Sequence, residues 1–90
     1  MTTDEMWAFL DENGGKQLRM FFADGSTIDC KFDGYCYDYD DAGNEFVEFT
    51  FKDLERYTYF DPAPLEDIEK IETIAAIKSR IKRDKKNAGE

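Results

Sequence analysis

Residues 15–32, GKQLRMFFADGSTIDCKF, decide the fold. Over 16–23, Leu18, Met20 and Phe22 alternate with Gln17, Arg19 and Phe21, the two-residue period of a strand with one buried face. Asp24-Gly25 supplies the positive backbone dihedrals that a tight hairpin turn needs. From 27 to 32 the alternation resumes, with Ile28, Cys30 and Phe32 inward and Thr27, Asp29 and Lys31 outward. The stretch reads as a β-hairpin, and the flanking segments are arranged around it.

Upstream, Thr2 is placed to cap a helix, with Glu5 at the reciprocal capping-box position. Met6, Phe9 and Leu10 share one helical face with Trp7 beside them, and Asn13-Gly14-Gly15 ends the helix. Downstream, Gly34 marks a bend or bulge in a long strand that resumes as Tyr35-Cys36-Tyr37-Asp38-Tyr39. Residues 40–44, DDAGN, form a second hairpin loop. A third strand follows over 45–51, with Val47, Phe49 and Phe51 opposed to Phe46, Glu48 and Thr50. Lys52-Asp53 reads as a turn and 54–60 as a fourth strand, broken by Asp61-Pro62-Ala63-Pro64.

Residues 65–81 admit two readings. Leu65, Ile68, Ile71, Ile74, Ile77 and Ile81 recur every three or four residues, the period of one amphipathic helix. The same residues also fit a single turn at 65–68, a closing strand from about 69 to 74, and a helix from about 74 into the basic tail.

Ninety residues make one domain with a small core. Eight Phe, five Tyr and one Trp give that core large buried area per residue, so the chain needs neither disulfide nor metal to fold. No apolar run approaches the roughly 20 residues that span a bilayer. The first residues are acidic where a signal peptide is basic, so the expected compartment is the cytoplasm. Cys30 and Cys36 sit among apolar neighbours and read as small core residues. The net charge of −9 is unevenly spread. Residues 1–76 hold six basic and nineteen acidic groups, while residues 77–90 hold six basic and two acidic ones. Two regions follow: a domain over 1–76 and a basic tail over 77–90. An acidic body repels a phosphate backbone, which disfavours nucleic-acid binding by the body as a whole.

A helix, four strands with Asp24-Gly25 after the first, and then Pro64-Leu65-x-x-Ile68-x-x-Ile71 resemble the Sm-like small barrels, in particular the uncharacterised Sm-like proteins of Gram-positive bacteria. The resemblance covers roughly residues 4–74 and rests also on Phe32 and Tyr35. It implies a mainly β, α+β fold: a small five-stranded antiparallel bent barrel with an N-terminal α-helix and a basic C-terminal helix or tail. It favours the split reading of 65–81, because in the family the Leu-x-x-Ile turn leads into the fifth strand. The RNA-binding members carry Gly, Asp and Asn where this chain has Cys30, Cys36 and Asp40. Their second RNA motif is missing, and Asp61-Pro62-Ala63-Pro64 stands near its place. The resemblance therefore implies the scaffold without the RNA site.

Catalysis has little to work with. The chain has no histidine, and neither cysteine has an activating neighbour. No catalytic residue, metal site or cofactor is expected. Asp38, Asp40 and Gly43 match the first, third and sixth positions of a calcium loop, but Ala42 and Phe49 stand at the fifth and twelfth. The loop reads as a solvated acidic hairpin tip. Tyr35, Tyr37, Tyr39, Tyr57 and Tyr59 are the candidate interaction face, with cross-strand packing as the plain alternative. Lys78, Arg80, Lys82, Arg83, Lys85 and Lys86 are the candidate phosphate-contacting tail, or else a solvated helix end. The expected function is a non-enzymatic module binding a protein partner or a second copy. RNA binding through the tail is the alternative, and an acidic decoy or immunity-type inhibitor a further one.

Overall fold

The structure is a computed structural model describing the backbone of residues 1–62 and 64–88 and the side chains of 1–62 and 64–85. It is an α+β fold: α1 (Thr3–Asn13), β1 (Gln17–Phe22), β2 (Thr27–Tyr39), β3 (Glu45–Asp53), β4 (Tyr59–Phe60), a 3-10 turn at Leu65–Asp67, β5 (Ile68–Thr73) and α2 (Ile74–Ala88). The strands form one antiparallel sheet in the order β4-β3-β2-β1-β5. β4 and β5 are its edges, and no pairing joins them among the described residues. No described helix is long and apolar enough to cross a membrane.

The hairpin of 15–32 pairs as its alternation requires, Leu18 opposite Cys30 and Met20 opposite Ile28. At the turn, Asp24 Oδ1 accepts from the Ser26 amide (2.9 Å) and hydroxyl (2.6 Å), and Gly25 sits at φ 89°. The capping box of α1 forms as expected. Thr2 Oγ1 accepts from the Glu5 amide at 3.1 Å, and Glu5 Oε1 accepts from the Thr2 amide at 3.0 Å. α1 sets Met6 and Leu10 into a core with Leu18, Met20, Cys30, Phe49, Phe51, Ile68 and Ile71. Each such fully buried Leu, Ile, Met or Phe contributes about 1.5–3 kcal/mol over leaving it in water.

Two bulges set which side chains reach that core. In β2 the pairing with β3 shifts between Phe32 and Gly34, so Asp33 is the extra residue. Phe32 lies opposite Phe51, and beyond the bulge Tyr35 lies opposite Phe49 on that same side. In β5 the pairing with β1 shifts between Phe21 and Phe22, which passes over Glu69. Ile68 and Ile71 thus both face the core although they are three apart. That spacing is what imitates a helix, and the split reading of 65–81 is the one observed. α2 begins at Ile74, where Thr73 Oγ1 accepts from the Ala76 amide at 3.2 Å.

Two expectations fail. Lys52 and Asp53 end β3 instead of turning, and 54–60 does not form a full strand. Asp53 is the reason. Its carboxylate accepts from the amides of Glu55 (2.8 Å) and Arg56 (2.9 Å), and its own amide donates to Thr58 O (2.7 Å), closing a turn that leaves only Tyr59–Phe60 for β4. Cys36 is not a core residue. The bulge at Asp33 turns it to the outer face, where it is exposed, while Cys30 is fully buried.

Candidate protein-interaction face

The β2–β3 hairpin runs past the core, and its far half carries the tyrosines. Tyr35, Tyr37 and Tyr39 alternate along β2 opposite Phe49, Val47 and Glu45 of β3, so all three stand on the core side of the sheet. Past the core that side is open, and the three are 53%, 59% and 65% exposed. They are nonetheless braced. The Trp7 ring meets Tyr35 edge-on at 4.8 Å and Phe49 at 5.0 Å, and Tyr35 meets Tyr37 edge-on at 5.8 Å. The Tyr39 hydroxyl donates to Glu45 Oε2 at 3.3 Å.

Tyr57 and Tyr59 do not join them. Tyr59 lies opposite Lys52, whose neighbour Phe51 faces the core, so Tyr59 points from the outer face. Tyr57 sits in the turn before β4 at φ 59°, with Lys52 Nζ 5.8 Å from its ring. The candidate set of five is thus three on one face and two elsewhere. Trp7, whose role here the helical pattern left unremarked, is a fourth ring beside these three, packed on Tyr35. With Asp4, Tyr37, Glu45 and Val47 it lines a hollow of about 320 Å3. The only sequence signal for it was that the chain's single Trp lies beside the buried stripe of α1.

At the hairpin tip, Asp40 Oδ1 accepts from the amides of Ala42 (3.0 Å) and Asn44 (2.8 Å), and Asp40 N donates to Asn44 O (2.9 Å). The carboxylate that a calcium loop would aim at its ion is spent on the turn. No cluster of three or more metal-ligating side chains occurs among the described residues.

The cysteines are separated in chemistry as in place. Burial, with Asp29 and Asp53 nearby, pushes the Cys30 thiol up to about 12. Cys36 Sγ lies 3.8 Å from Glu48 Oε2, and desolvation followed by that carboxylate raises its pKa too. Neither thiol is activated as a nucleophile.

The tail cations divide into two groups. Lys78 lies near enough to Asp29 to help hold its carboxyl low, and Arg80 Nη1 bonds Glu72 Oε2 at 2.8 Å. Lys82, Arg83 and Lys85 are exposed and make no ion pair among the described residues. The side chain of Lys86 lies outside the described residues. No family model, curated protein or solved structure matches the chain.

Proposed function

We propose that this chain is a non-enzymatic protein-interaction module whose contact surface is the Tyr35–Tyr37–Tyr39 row with Trp7. One observation carries the reading: three tyrosines on the core side of the sheet stand beyond the core, more than half exposed, with Tyr35 and Tyr37 held by ring contacts to Trp7 and each other and Tyr39 by its hydrogen bond to Glu45. Large, pre-ordered amphipathic rings give contact area at small entropic cost, which is the composition of interface hot spots. The scaffold under this reading is an Sm-like open barrel. Supporting that, residues of both sheet edges meet one core, with Ile68 and Ile71 of β5 inside it and Phe60 of β4 packed against it. A cytoplasmic setting belongs to the same reading; no described helix is long and apolar enough to cross a membrane.

A photo-crosslinking residue in place of Tyr37, with one in place of Tyr59 as the outer-face control, tests the reading in cells. Adducts at Tyr37 and none at Tyr59 support it. No adduct at Tyr37, or equal yields at both, overturns it.

A second reading, single-stranded RNA bound through α2, has one observation in its favour: Lys82, Arg83 and Lys85 are exposed without an ion pair among the described residues. Such binding weakens steeply with salt. A titration with single-stranded RNA at low salt that shows no binding ends it.

A further inference from the structure

Helix α2 outlasts the body it packs on. Ile74 and Ile77 are buried, whereas Ile81, next on the same helical stripe, is 53% exposed. Lys85 follows Ile81 one turn on, with Lys82 beside it. Of the cations nearer the start of α2, Arg80 is paired with Glu72, and Lys78 lies near Asp29. From Ile81 on, the helix presents an exposed apolar side chain flanked by cations that make no ion pair among the described residues.

The complementary shape is the hollow at the far half of the β2–β3 hairpin. Its walls are Trp7, Tyr37 and Val47, and its rim carries Asp4 and Glu45. Neither rim carboxylate has a cation among the described residues. Next to it stands the acidic tip with Asp40 and Asp41. Within one chain the two surfaces lie apart, because α2 packs on β1 and β5.

We infer that the occupant of this hollow is α2 of a second copy. Ile81 of one chain enters between Trp7 and Tyr37 of the next, and Lys82 and Lys85 meet Asp4 and Glu45. Charge complementarity selects this partner: the body has nineteen acidic groups against six basic, the tail six basic against two acidic, and every copy carries both halves. The two surfaces differ, so the contact is head-to-tail. Each added copy leaves one hollow and one helix free until a ring closes. The inference rests on the interaction-face reading and specifies its partner.

Sedimentation equilibrium of the full chain tests it. The weight-average mass rises above that of one chain as concentration increases, and the dissociation constant weakens about tenfold when salt is raised from about 0.05 to about 0.5 M. Trp7 is the single tryptophan, so its emission moves to shorter wavelength as the hollow fills. The double variants Lys82→Glu/Lys85→Glu and Asp4→Lys/Glu45→Lys change exposed positions, and unchanged circular dichroism shows that each folds. Each is monomeric alone, and their equimolar mixture associates, because each supplies the charge the other has lost. A wild-type chain that stays monomeric to about 0.5 mM overturns the inference, as does association that survives in both variants or a mixture that stays monomeric. A monomeric chain that still crosslinks another protein through position 37 removes the self-contact and leaves the interaction face standing.

Discussion

Trp7 of α1 stands edge-on to Tyr35 of β2, ring centroids 4.8 Å apart and planes at 84°. The contact ties the N-terminal helix to the part of the hairpin that has left the core. Trp7→Ala removes it together with the Phe49 contact, and is expected to cost about 2–3 kcal/mol. For a domain of this size the thermal midpoint then falls by roughly 10 °C or more, with Trp7→Phe in between. Calorimetry reads both. An unchanged midpoint in Trp7→Ala would show that the hairpin stands without the helix.

The two thiols differ in access. Under native conditions near pH 8, a maleimide is expected to modify one thiol per chain, Cys36, more slowly than free cysteine because its pKa is raised. Cys30 reacts only once denaturant opens the core. Cys36→Ser then shows no native labelling. Labelling of Cys30 in the folded chain would contradict its burial.

Acid weakens this fold through identifiable carboxylates. The hydrogen bond from Arg19 (Nε to Oδ1, 2.7 Å) holds Asp29 below its ordinary 3.8, and Arg80 and Lys70 hold Glu72 below 4.5. A folded-state pKa below the unfolded one gives stability that is complete above the unfolded value and is lost as pH falls through the folded one. From these carboxylates the stability curve is therefore expected to be flat between about pH 5 and about pH 8 and to decline below about pH 4; above about pH 9 the raised Cys30 thiol makes it decline again. Asp29 is partly exposed, so solvent screening limits its share to less than about 1 kcal/mol. Asp29→Asn flattens part of the decline in acid denaturation followed by circular dichroism. A decline as steep as the parent's would assign it to other groups.

Gly25 and Gly34 respond differently to a methyl group. Gly25 sits at φ 89° in the turn, and Gly25→Ala is expected to cost about 1 kcal/mol. A Cβ at Gly34 meets nothing within 4 Å, and its φ is not positive, so Gly34→Ala is neutral or slightly stabilising. Denaturant midpoints of the two variants measure the contrast. A large loss at Gly34 would mean that the bulge requires glycine.

Most of the fold is legible in local chemistry. Thr2 and Glu5 announce α1, and Asp24-Gly25 sets the first hairpin, because each signal lies within a few residues. The open reading of 65–81 and the missing fourth strand both arise where one residue outside the pattern changes the outcome. Glu69 is passed over in the β1–β5 pairing, so Ile68 and Ile71 acquire a helical spacing inside a strand. Asp53 folds its carboxylate back onto two amides and takes most of the expected fourth strand for a turn. The interaction face was half legible. The alternation Tyr35, Tyr37, Tyr39 is plain, but their sharing a side with Trp7 depends on the pairing with β3, and Tyr59 is separated from them by the same pairing.

The bulge at Asp33 sets which surface this half of the molecule shows. Were Asp33 paired instead of bulged, the two-residue alternation would continue unbroken from Phe32, putting Cys36 and Asp38 in line with the core and sending Tyr35, Tyr37 and Tyr39 to the opposite side. The surface chemistry of this half of the molecule is thus a matter of reading frame along the strand. Deleting Asp33 would remove the bulge and keep the aromatic row on its side, whereas absorbing Asp33 into the ladder would exchange that surface for a thiol and acidic one with no change of sequence.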